Sequence, residues 1–483
     1  MENNGFIKQL VRHFSAVKEN TIAFSLYDGS QVVNITYRQF LNDILKATGF
    51  FVHKDIKDQH IAIAAASSYD WIVTFFAITG SGNIAVLLNQ DLPEDIIAGQ
   101  CKQADVEMIC VDVPLDPAET KDMNTECVCF EEIKKGKPIT VGDIFPLGPD
   151  DTIIMMFTSG TTGKSKAVEF SSENMQSSFT ALGETHMRSG MERVFPALPF
   201  FHISGLGCIF QVIQHFHTLC LGRGTRYVLA DMHALNPTNI SLVPSILESI
   251  VKIYKQTKTQ EERHRFLGTN LQRISVGGAS LKPDVIRFMM TQGILIDSLY
   301  GMTETTGDGI RCVLDDVHVG TIGKLSHSMQ CRIQDGELLL KGPSVMKGYY
   351  KDPAGTAEII QDGWLHTGDL GYCDADGYYY ITGRKKNVII LSNGENVNPE
   401  EIEAKLGECA EILEVLVYGD GKKICADIYT NDGLAAADFV RRYNDGVPLY
   451  RQIHSVNYTS APLEKTGSGK IKRKEAAHES QGN

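Results

Sequence analysis

Hydroxyl, glycine and lysine residues are concentrated in one short segment of the chain. The segment is Thr158-Ser159-Gly160-Thr161-Thr162-Gly163-Lys164-Ser165-Lys166, and it directly follows the apolar run Ile153–Phe157. Glycines let backbone N–H groups close around a phosphate, hydroxyls donate further hydrogen bonds, and lysines supply the opposing charge. Residues of these types after a predicted strand indicate a polyphosphate-binding loop.

The loop has two other interpretations. Clusters of Ser, Thr, Gly and Lys are usually solvated turns. The P-loop template G-x-x-x-x-G-K-[ST] nearly fits at Gly163-Lys164-Ser165, but its first glycine would fall on Thr158. A Walker-type site is therefore not favoured.

Four distant segments combine glycines with charged or hydroxyl residues in a similar way. They are Tyr300-Gly301-Met302-Thr303-Glu304, Gly363-Trp364-Leu365-His366-Thr367-Gly368-Asp369-Leu370, Gly383-Arg384-Lys385-Lys386-Asn387 and Lys465-Thr466-Gly467-Ser468-Gly469-Lys470. In this order and spacing the segments resemble the adenylate-forming superfamily of acyl-CoA synthetases, peptide-synthetase adenylation domains and luciferases. The resemblance extends from about residue 36 to residue 473, nearly the whole chain.

The resemblance implies a two-step reaction. A carboxylic acid and ATP give an acyl-AMP and pyrophosphate, and the acyl group then passes to a thiol. We expect a ligase that forms carbon–sulfur bonds, an AMP-forming acid:CoA ligase. The acceptor is CoA or phosphopantetheine on a carrier protein, because both present the same arm. A carboxylate is a poor nucleophile that the triphosphate repels, so the reaction needs charge neutralisation and alignment.

The matching motifs imply roles for residues of the nucleotide site. Residues 158–164 would hold the β- and γ-phosphates, and Thr303 would donate to the α-phosphate. Glu304 would bind Mg²⁺, which favours one or two carboxylates plus substrate phosphates. Tyr300 would stack on adenine beside Gly301-Met302.

Further motif residues complete the expected nucleotide site. Gly278 and Ala279 would let the backbone approach the purine and the acyl tail. Asp369 would accept hydrogen bonds from both ribose hydroxyls, which a carboxylate suits well. Arg384 would reach the same ribose. In isolation, Asp369 is more often a turn residue and Arg384 a surface charge.

A moving C-terminal domain is also implied by the resemblance. Lys470 would neutralise the incoming carboxylate and the α-phosphate in the transition state. Rotation about the hinge residue Lys386 would withdraw Lys470 and bring Gly394 to the tunnel for a pantetheine arm. On composition alone, the basic C-terminal run is a solvated tail.

The segment around His202 resembles the family's border of the acid pocket. Relatives that activate amino acids have Asp at this position, because a substrate ammonium needs a buried counter-charge. We therefore expect a small carboxylic acid without an α-amino group. His202 could gate the thiol channel, although a lone histidine beside aromatic residues is more often structural. Gly205 and Gly207 could leave room for an aryl group or an acyl chain.

The elements that must position these motifs alternate between strand and helix. Apolar runs over 61–66, 84–88, 108–113, 273–276, 294–299 and 338–340 predict strands, and the patterns over 71–79 and 94–103 predict helices. Thr36 is a predicted N-cap for a helix over 38–51. Such alternation indicates an α/β fold with parallel layers. Toward the C-terminus, strands are predicted over 388–391, 415–418 and 424–429, and helices over 399–406 and 434–443.

Size and composition limit the alternatives. A chain of 483 residues is longer than one hydrophobic core normally organises, so two or more domains are expected. We expect a large N-terminal domain of layered sheets and helices, residues 1–385, and a small mobile α+β domain, residues 386–483. A net charge of −13 opposes a nucleic-acid partner. The run 71–88 is interrupted by Gly80-Ser81-Gly82-Asn83, so a buried helix, a turn and a strand are expected rather than a membrane span.

Cysteine usage and the first residues predict a cytoplasmic enzyme. Eleven cysteines are dispersed without metal-ligand spacing, which is typical of reduced thiols. The first residues lack a signal-peptide pattern. An inactive nucleotide-binding protein is a lower-ranked alternative, because Glu304 and Lys470 are both present. A luciferase-like oxygenase ranks lower still.

Overall fold

The computed structural model describes residues 5–113, 125–158, 165–186, 192–257, 259–279, 281–315, 317–392, 394–420, 423–465 and 471–473. The chain forms two compact units, Met1–Gln330 with Leu340–Leu365, and Cys331–Leu339 with His366–Asn483. Part of the second unit therefore precedes residue 386 in the sequence. The hinge at Lys386 stays a prediction.

Strands and helices alternate along most of the first unit. The helices of the described chain are α1 (Phe6–Phe14), α2 (Tyr37–His53), α3 (Tyr69–Gly80), α4 (Glu94–Gln103), α5 (Phe130–Ile133), α6 (Ser172–His186), α7 (Ile203–Gln214), α8 (Val228–Leu235), α9 (Pro244–Gln256), α10 (Gln260–Leu267), α11 (Pro283–Thr291), α12 (Pro353–Ile359), α13 (Pro399–Leu406) and α14 (Gly433–Asp445). The strands are β1 (Ile22–Tyr27), β2 (Val32–Thr36), β3 (His60–Ile63), β4 (Ile84–Leu87), β5 (Met108–Val111), β6 (Glu126–Cys129), β7 (Thr152–Thr158), β8 (Lys166–Ser171), β9 (Arg193–Pro196), β10 (Thr218–Leu221), β11 (Asn239–Leu242), β12 (Arg273–Gly277), β13 (Leu295–Gly301), β14 (Gly309–Val313), β15 (Lys324–Leu325), β16 (Gln330–Gln334), β17 (Glu337–Lys341), β18 (Gly348–Tyr349), β19 (Ile360–Gln361), β20 (Trp364–Cys373), β21 (Tyr379–Arg384), β22 (Ile389–Ile390), β23 (Asn396–Val397), β24 (Ile412–Gly419), β25 (Ile424–Thr430) and β26 (Ile453–Thr459).

Two sheets with parallel centres form the first unit. A seven-stranded sheet has the order β18-β8-β7-β4-β3-β5-β6, and the strands from β7 to β6 run parallel. A nine-stranded sheet has the order β15-β14-β13-β12-β11-β9-β10-β1-β2, and the strands from β13 to β1 run parallel. The predicted α/β fold is confirmed, and in such sheets ligands bind at the carboxyl ends of the strands.

The main hydrophobic core of the first unit is rich in aromatic side chains. Phe179 and Phe210 stack with ring centroids 4.5 Å apart, and Phe75 and Phe76 contact Phe210 edge-on or tilted. Such pairs stabilise a core by about 0.5–1.5 kcal/mol beyond the burial of their area. Because α3, α6 and α7 contribute these rings, the core fixes the helices that flank the candidate site.

The second unit has its own hydrophobic core. β24 pairs antiparallel with β25, and β25 pairs parallel with β26. The helices α13 and α14 cover this sheet with Ile402, Leu406, Ala436 and Val440. The strands β24 and β25 form a hairpin in which Gly419 pairs directly with Ile424.

Several predicted elements have the expected bounds. The helices α4 and α13 match their predictions exactly in residues 94–103 and 399–406. Thr36 caps α2 as predicted: its hydroxyl accepts a hydrogen bond from Gln39 N, while Gln39 Oε1 accepts one from Thr36 N. Residues 71–88 form the expected buried helix, turn and strand. Within the described ranges, every helix is too short or too polar to cross a membrane.

A buried histidine lies at the amino-terminal ends of two parallel strands. His217 precedes β10, is 4% exposed, and accepts a hydrogen bond at Nδ1 from Glu192 N, 3.0 Å away. A neutral ring that accepts at Nδ1 carries its proton on Nε2. Burial, and to a lesser extent the charge of neighbouring His215, lowers the pKa of His217 to about 4.

We expect His217→Asn to remove a source of acid sensitivity. Because the folded-state pKa lies below the ordinary value near 6.5, folding requires the neutral ring, and stability is lost as pH falls from about 6.5 toward 4. Asn Oδ1 can still accept from Glu192 N but does not titrate. Between pH 8 and pH 5, the difference in free energy of unfolding should shift by about 2 kcal/mol in favour of the variant. A difference independent of pH would contradict this.

Candidate active site

The two ends of the predicted phosphate loop are joined at its base. Thr158 ends β7 and lies opposite Lys166, which begins β8. Ser165 Oγ donates to the carbonyl oxygen of Thr158 at 2.7 Å, and Gln103 Nε2 donates to the carbonyl of Ser165 at 3.1 Å. The loop residues between them lie outside the described residues: Ser159, Gly160, Thr161, Thr162, Gly163 and Lys164. The base of the loop is therefore held at the carboxyl end of a parallel strand.

Glu304 lies on a short 3₁₀ turn, Thr303–Thr305, between β13 and β14. It is 9% exposed, and the hydroxyl of Tyr349 donates to its Oε1 at 2.9 Å. Burial, and then the negative charge of Glu304, raise the pKa of Tyr349. The hydroxyl therefore stays protonated and holds the carboxylate in one orientation.

Tyr349 also contacts the base of the phosphate loop. The Nζ of Lys166 lies 4.4 Å from the centroid of its ring and 3.6 Å from Asp352 Oδ2. One tyrosine thus links the cation that follows the loop to the carboxylate of Glu304. This contact brings together two motifs that are separated by more than a hundred residues in the sequence.

A buried ion pair supports the turn that carries Glu304. Asp308 Oδ1 accepts from Arg311 Nη2 at 3.2 Å, and Asp308 Oδ2 accepts from the hydroxyls of Ser328 at 2.8 Å and Ser344 at 3.0 Å. The side chains of Asp308 and Arg311 are 0% and 4% exposed. Burial lowers the pKa of Arg311. No sequence pattern indicates this pair, because each residue is ordinary in type and spacing.

Two helices also hold this turn. The hydroxyl of Ser178, on α6, donates to the carbonyl of Thr306 at 2.8 Å. A Cβ on Gly307 would lie 3.3 Å from Cγ1 of Ile203, in the first turn of α7. The helix that follows the phosphate loop and the helix that follows His202 therefore both meet the segment after Glu304.

The predicted purine-binding residues lie at the carboxyl ends of adjacent strands. Gly277 ends β12 and pairs with Leu299 of β13, and a Cβ on Gly277 would lie 2.9 Å from the carbonyl oxygen of Leu299. Gly278, with φ of +85°, and Ala279 follow and are exposed. Residues 300–302 lie at the same edge of the sheet. The fold therefore brings these candidate residues together.

His202 is exposed at the N-terminus of α7, with its ring centroid 4.7 Å from that of Phe201. Its helix follows β9, so it lies at the same edge of the nine-stranded sheet. The suggestion that Gly205 leaves room for the acid is wrong. A Cβ on Gly205 would lie 2.1 Å from the carbonyl oxygen of Pro199, so the glycine accommodates the backbone.

Asp369 and Arg384 form an ion pair within the second unit. They are directly opposite each other on β20 and β21, with Arg384 Nε 2.6 Å from Asp369 Oδ1. Asp369 is 4% exposed and its N–H donates to the hydroxyl of Thr367 at 3.0 Å. The register shifts by one residue between Leu370 and Gly371. The two predicted ribose-binding residues are therefore neighbours.

Glu337 is a residue of this region that the sequence did not indicate. Its carboxylate accepts from Gly368 N at 3.0 Å and from Lys385 Nζ at 2.8 Å, and His366 Nδ1 lies 3.3 Å away. Burial opposes ionisation, yet Lys385, the Gly368 amide and His366 together keep the pKa of Glu337 below its usual value. Glu337 thus ties the Asp369 motif to the residue before Lys386. Its position at the start of an apolar strand offered no functional signal.

The remaining predictions concern the hinge, the thiol tunnel and the catalytic lysine. Lys386 is exposed on the 3₁₀ turn Lys385–Asn387. Gly394 has φ of +84°, and a Cβ there would meet no atom within 4 Å, so its backbone conformation rather than its surroundings favours glycine. Lys470 lies outside the described residues.

The donor set around Glu304 fits a magnesium ion shared with a substrate. The Glu304 carboxylate is a hard oxygen ligand of the kind that Mg²⁺ prefers. Within the described ranges, no three His, Cys, Asp or Glu side chains are grouped as a metal cage would require. Phosphate oxygens and water would have to supply the other ligands.

Two family models match the chain. One, described as AMP-binding enzyme, matches residues 11–350, and one described as AMP-binding enzyme C-terminal domain matches residues 386–481. The chain belongs to the AMP-binding enzyme family. Its motifs thus occur in the family that their order had indicated.

Similar proteins of this family include two bacterial 2-succinylbenzoate–CoA ligases. The one from Bacillus cytotoxicus is 31% identical over 75% of this chain and 76% of its own length, and the one from Listeria innocua is 28% identical over 93% and 94%. These findings confirm the expected class of enzyme, an AMP-forming acid–CoA ligase.

Solved structures of the family share the fold. The o-succinylbenzoate CoA synthetase (MenE) from Bacillus subtilis, in complex with its acyl-adenylate intermediate, has a TM-score of 0.83 at 24% identity and 96% coverage of both chains. An anthranilate CoA ligase, AuaEII, in complex with anthranoyl-AMP has a TM-score of 0.84 at 19% identity, covering 96% of this chain and 95% of its own.

We expect Asp308→Ala to destabilise the first unit by about 3–5 kcal/mol, because it leaves the Arg311 guanidinium buried without its counter-charge. Chemical denaturation followed by tryptophan and tyrosine fluorescence measures the loss. Asp95→Ala is the matched control: Asp95 is exposed on α4 of the same unit, and its removal should change stability by less than about 0.5 kcal/mol. Equal effects of the two substitutions would contradict the assigned role.

Proposed function

We propose that this chain is an AMP-forming ligase that activates 2-succinylbenzoate, or a closely similar aryl carboxylic acid, with ATP and transfers the acyl group to CoA. The observation that supports it best is the contact of Tyr349 with both Lys166 and Glu304. This contact places a carboxylate suited to Mg²⁺ next to the base of the phosphate loop. The identity of the acid is proposed from the relatives, which are named for it.

The acid pocket is proposed to accept a substrate without an α-amino group. His202 stands where relatives that activate amino acids carry Asp, and it is exposed at the start of α7. An imidazole there supplies no fixed negative charge for an ammonium group. An aryl carboxylate has no ammonium group and therefore needs no such counter-charge.

In the proposed first step, a carboxylate oxygen of the acid attacks the α-phosphorus of ATP, and the bond to pyrophosphate breaks. Residues 158–164 and Lys166 hold the β- and γ-phosphates, while Thr303 donates to the α-phosphate. Lys470 neutralises charge on the two anions as they meet. Glu304 would hold magnesium, which would offset the negative charge of the phosphates.

The ribose is proposed to bind at Asp369 and Arg384. Arg384 orients the Asp369 carboxylate, and the Asp369 backbone N–H donates to the Thr367 hydroxyl, so the carboxylate offers acceptor oxygens in a fixed direction. Tyr300 is proposed to stack on the adenine, beside the exposed backbone of Gly278 and Ala279. In the second step, rotation at Lys386 would bring Gly394 to the pantetheine arm of CoA.

A phosphopantetheinyl carrier protein is the alternative acceptor. Its arm is chemically the same as that of CoA, so the residues named here would serve either one. An inactive nucleotide-binding protein is a weaker alternative, since the chain keeps both Glu304 and Lys470.

We expect 2-succinylbenzoate to support ATP–pyrophosphate exchange, and CoA to cause release of AMP with formation of the thioester. Exchange is measured with labelled pyrophosphate, and the thioester by mass spectrometry. The control acid is an α-amino acid such as phenylalanine, which should support neither step. An acyl-AMP that accumulates in the presence of CoA would favour the carrier protein. Absence of exchange with a broad panel of aryl and fatty acids would overturn the proposal.

We expect Lys470→Ala to lower the exchange rate by about 100-fold or more while ATP binding stays nearly unchanged, because the ammonium acts mainly in the transition state. The nearby Lys472→Ala is the matched control, since Lys472 forms an ion pair with Glu464. Exchange at the wild-type rate in the Lys470 variant would contradict the assigned role.

A further inference from the structure

Tyr349 contacts two charged groups in the first unit, and a third pairs with one of them. Its hydroxyl donates to Glu304 Oε1 at 2.9 Å, and the ammonium of Lys166 lies 4.4 Å from its ring centroid. Asp352 Oδ2 lies 3.6 Å from the same Nζ. The tyrosine is 8% exposed, so these interactions are only weakly screened by water.

The hydroxyl restricts the orientations that the Glu304 side chain can adopt. A carboxylate has about four lone-pair sites, and a single donor at Oε1 leaves the others available to a cation. The backbone carbonyl of Glu304 accepts from Met346 N at 2.9 Å, three residues before Tyr349 in the sequence. The same segment therefore fixes both the backbone and the side chain of Glu304.

The ring has a separate effect on Lys166. A cation over the face of an aromatic ring is stabilised by about 0.5–2 kcal/mol. Asp352 forms an ion pair with the same ammonium, and its side chain also caps α12 by accepting a hydrogen bond from Gly355 N at 2.8 Å. The ring thus holds Lys166 beside the loop base.

We propose that Tyr349 is a positioning residue that orients the Glu304 carboxylate for a divalent cation and so makes ATP binding depend on magnesium. The inference rests on the proposed function, in which Glu304 is the carboxylate that holds the ion. In this proposal Tyr349 acts through Glu304 and not by contact with the substrates.

The test is Tyr349→Phe, which removes the hydroxyl and keeps the ring over Lys166. ATP binding to the whole protein is measured by titration calorimetry, once with Mg²⁺ and once with EDTA. The dissociation constant with Mg²⁺ should rise about tenfold, as expected for the loss of a hydrogen bond to a charged group, and the constant with EDTA should not change.

Tyr350→Phe is the matched control. This neighbouring hydroxyl donates to Asp105 Oδ2 at 2.6 Å, outside the site, so its removal should leave both constants unchanged. In a Glu304→Gln background, Tyr349→Phe should have no further effect on binding with Mg²⁺, because the carboxylate that it orients is gone.

Three outcomes would overturn the proposal. Equal weakening with Mg²⁺ and with EDTA would show that the hydroxyl matters only for packing, and no weakening in either condition would show that it does not orient Glu304. Both results leave the proposed function intact. Wild-type binding that is the same with Mg²⁺ and with EDTA would instead count against the role of Glu304 as a magnesium ligand, whereas ATP–pyrophosphate exchange tests the ligase activity separately.

Discussion

The candidate site of the first unit depends on keeping one nearly buried carboxylate charged and in place. Glu304 is 9% exposed, and a charge removed from water to this extent needs hydrogen-bond donors and nearby cations. Tyr349 supplies the donor, and Lys166 lies across its ring. The buried Asp308–Arg311 pair makes the turn after Glu304 rigid. In the proposed function, these contacts would hold the carboxylate in place before a cation binds, so that less reorganisation is needed on binding.

The two sheets contribute to this centre in different ways. The seven-stranded sheet supplies the base of the phosphate loop at the end of β7, and the nine-stranded sheet supplies the turn after β13. Helix α6 connects them, since it follows β8 and Ser178 bonds to Thr306. The base of the predicted phosphate loop and the turn that carries Glu304 belong to separate sheets, and one helix and one strand, β18, thus hold them relative to each other.

The sequence predicted the fold class and the family, because strand and helix periods and the motif order are local signals. It also placed Thr36 and the bounds of α4 and α13 correctly. It could not indicate Tyr349, Glu337 or Asp308. Their roles come from contacts with residues distant in the chain, and a lone Tyr, Glu or Asp is common on any surface. The error at Gly205 has a similar cause: a glycine required by a nearby carbonyl has the same sequence pattern as one that makes room for a substrate.

The pairing of β20 with β21 shifts by one residue just after the Asp369–Arg384 pair, and this shift has an evolutionary consequence. Side chains alternate between the two faces of a strand, so adding or removing a single residue between this irregularity and the ion pair would send Arg384 to the opposite face. A substitution in this hairpin changes one side chain, whereas an insertion or deletion of one residue would separate Asp369 from Arg384. Homologues should therefore tolerate changes of residue type in this hairpin more readily than single-codon insertions or deletions beside the bulge.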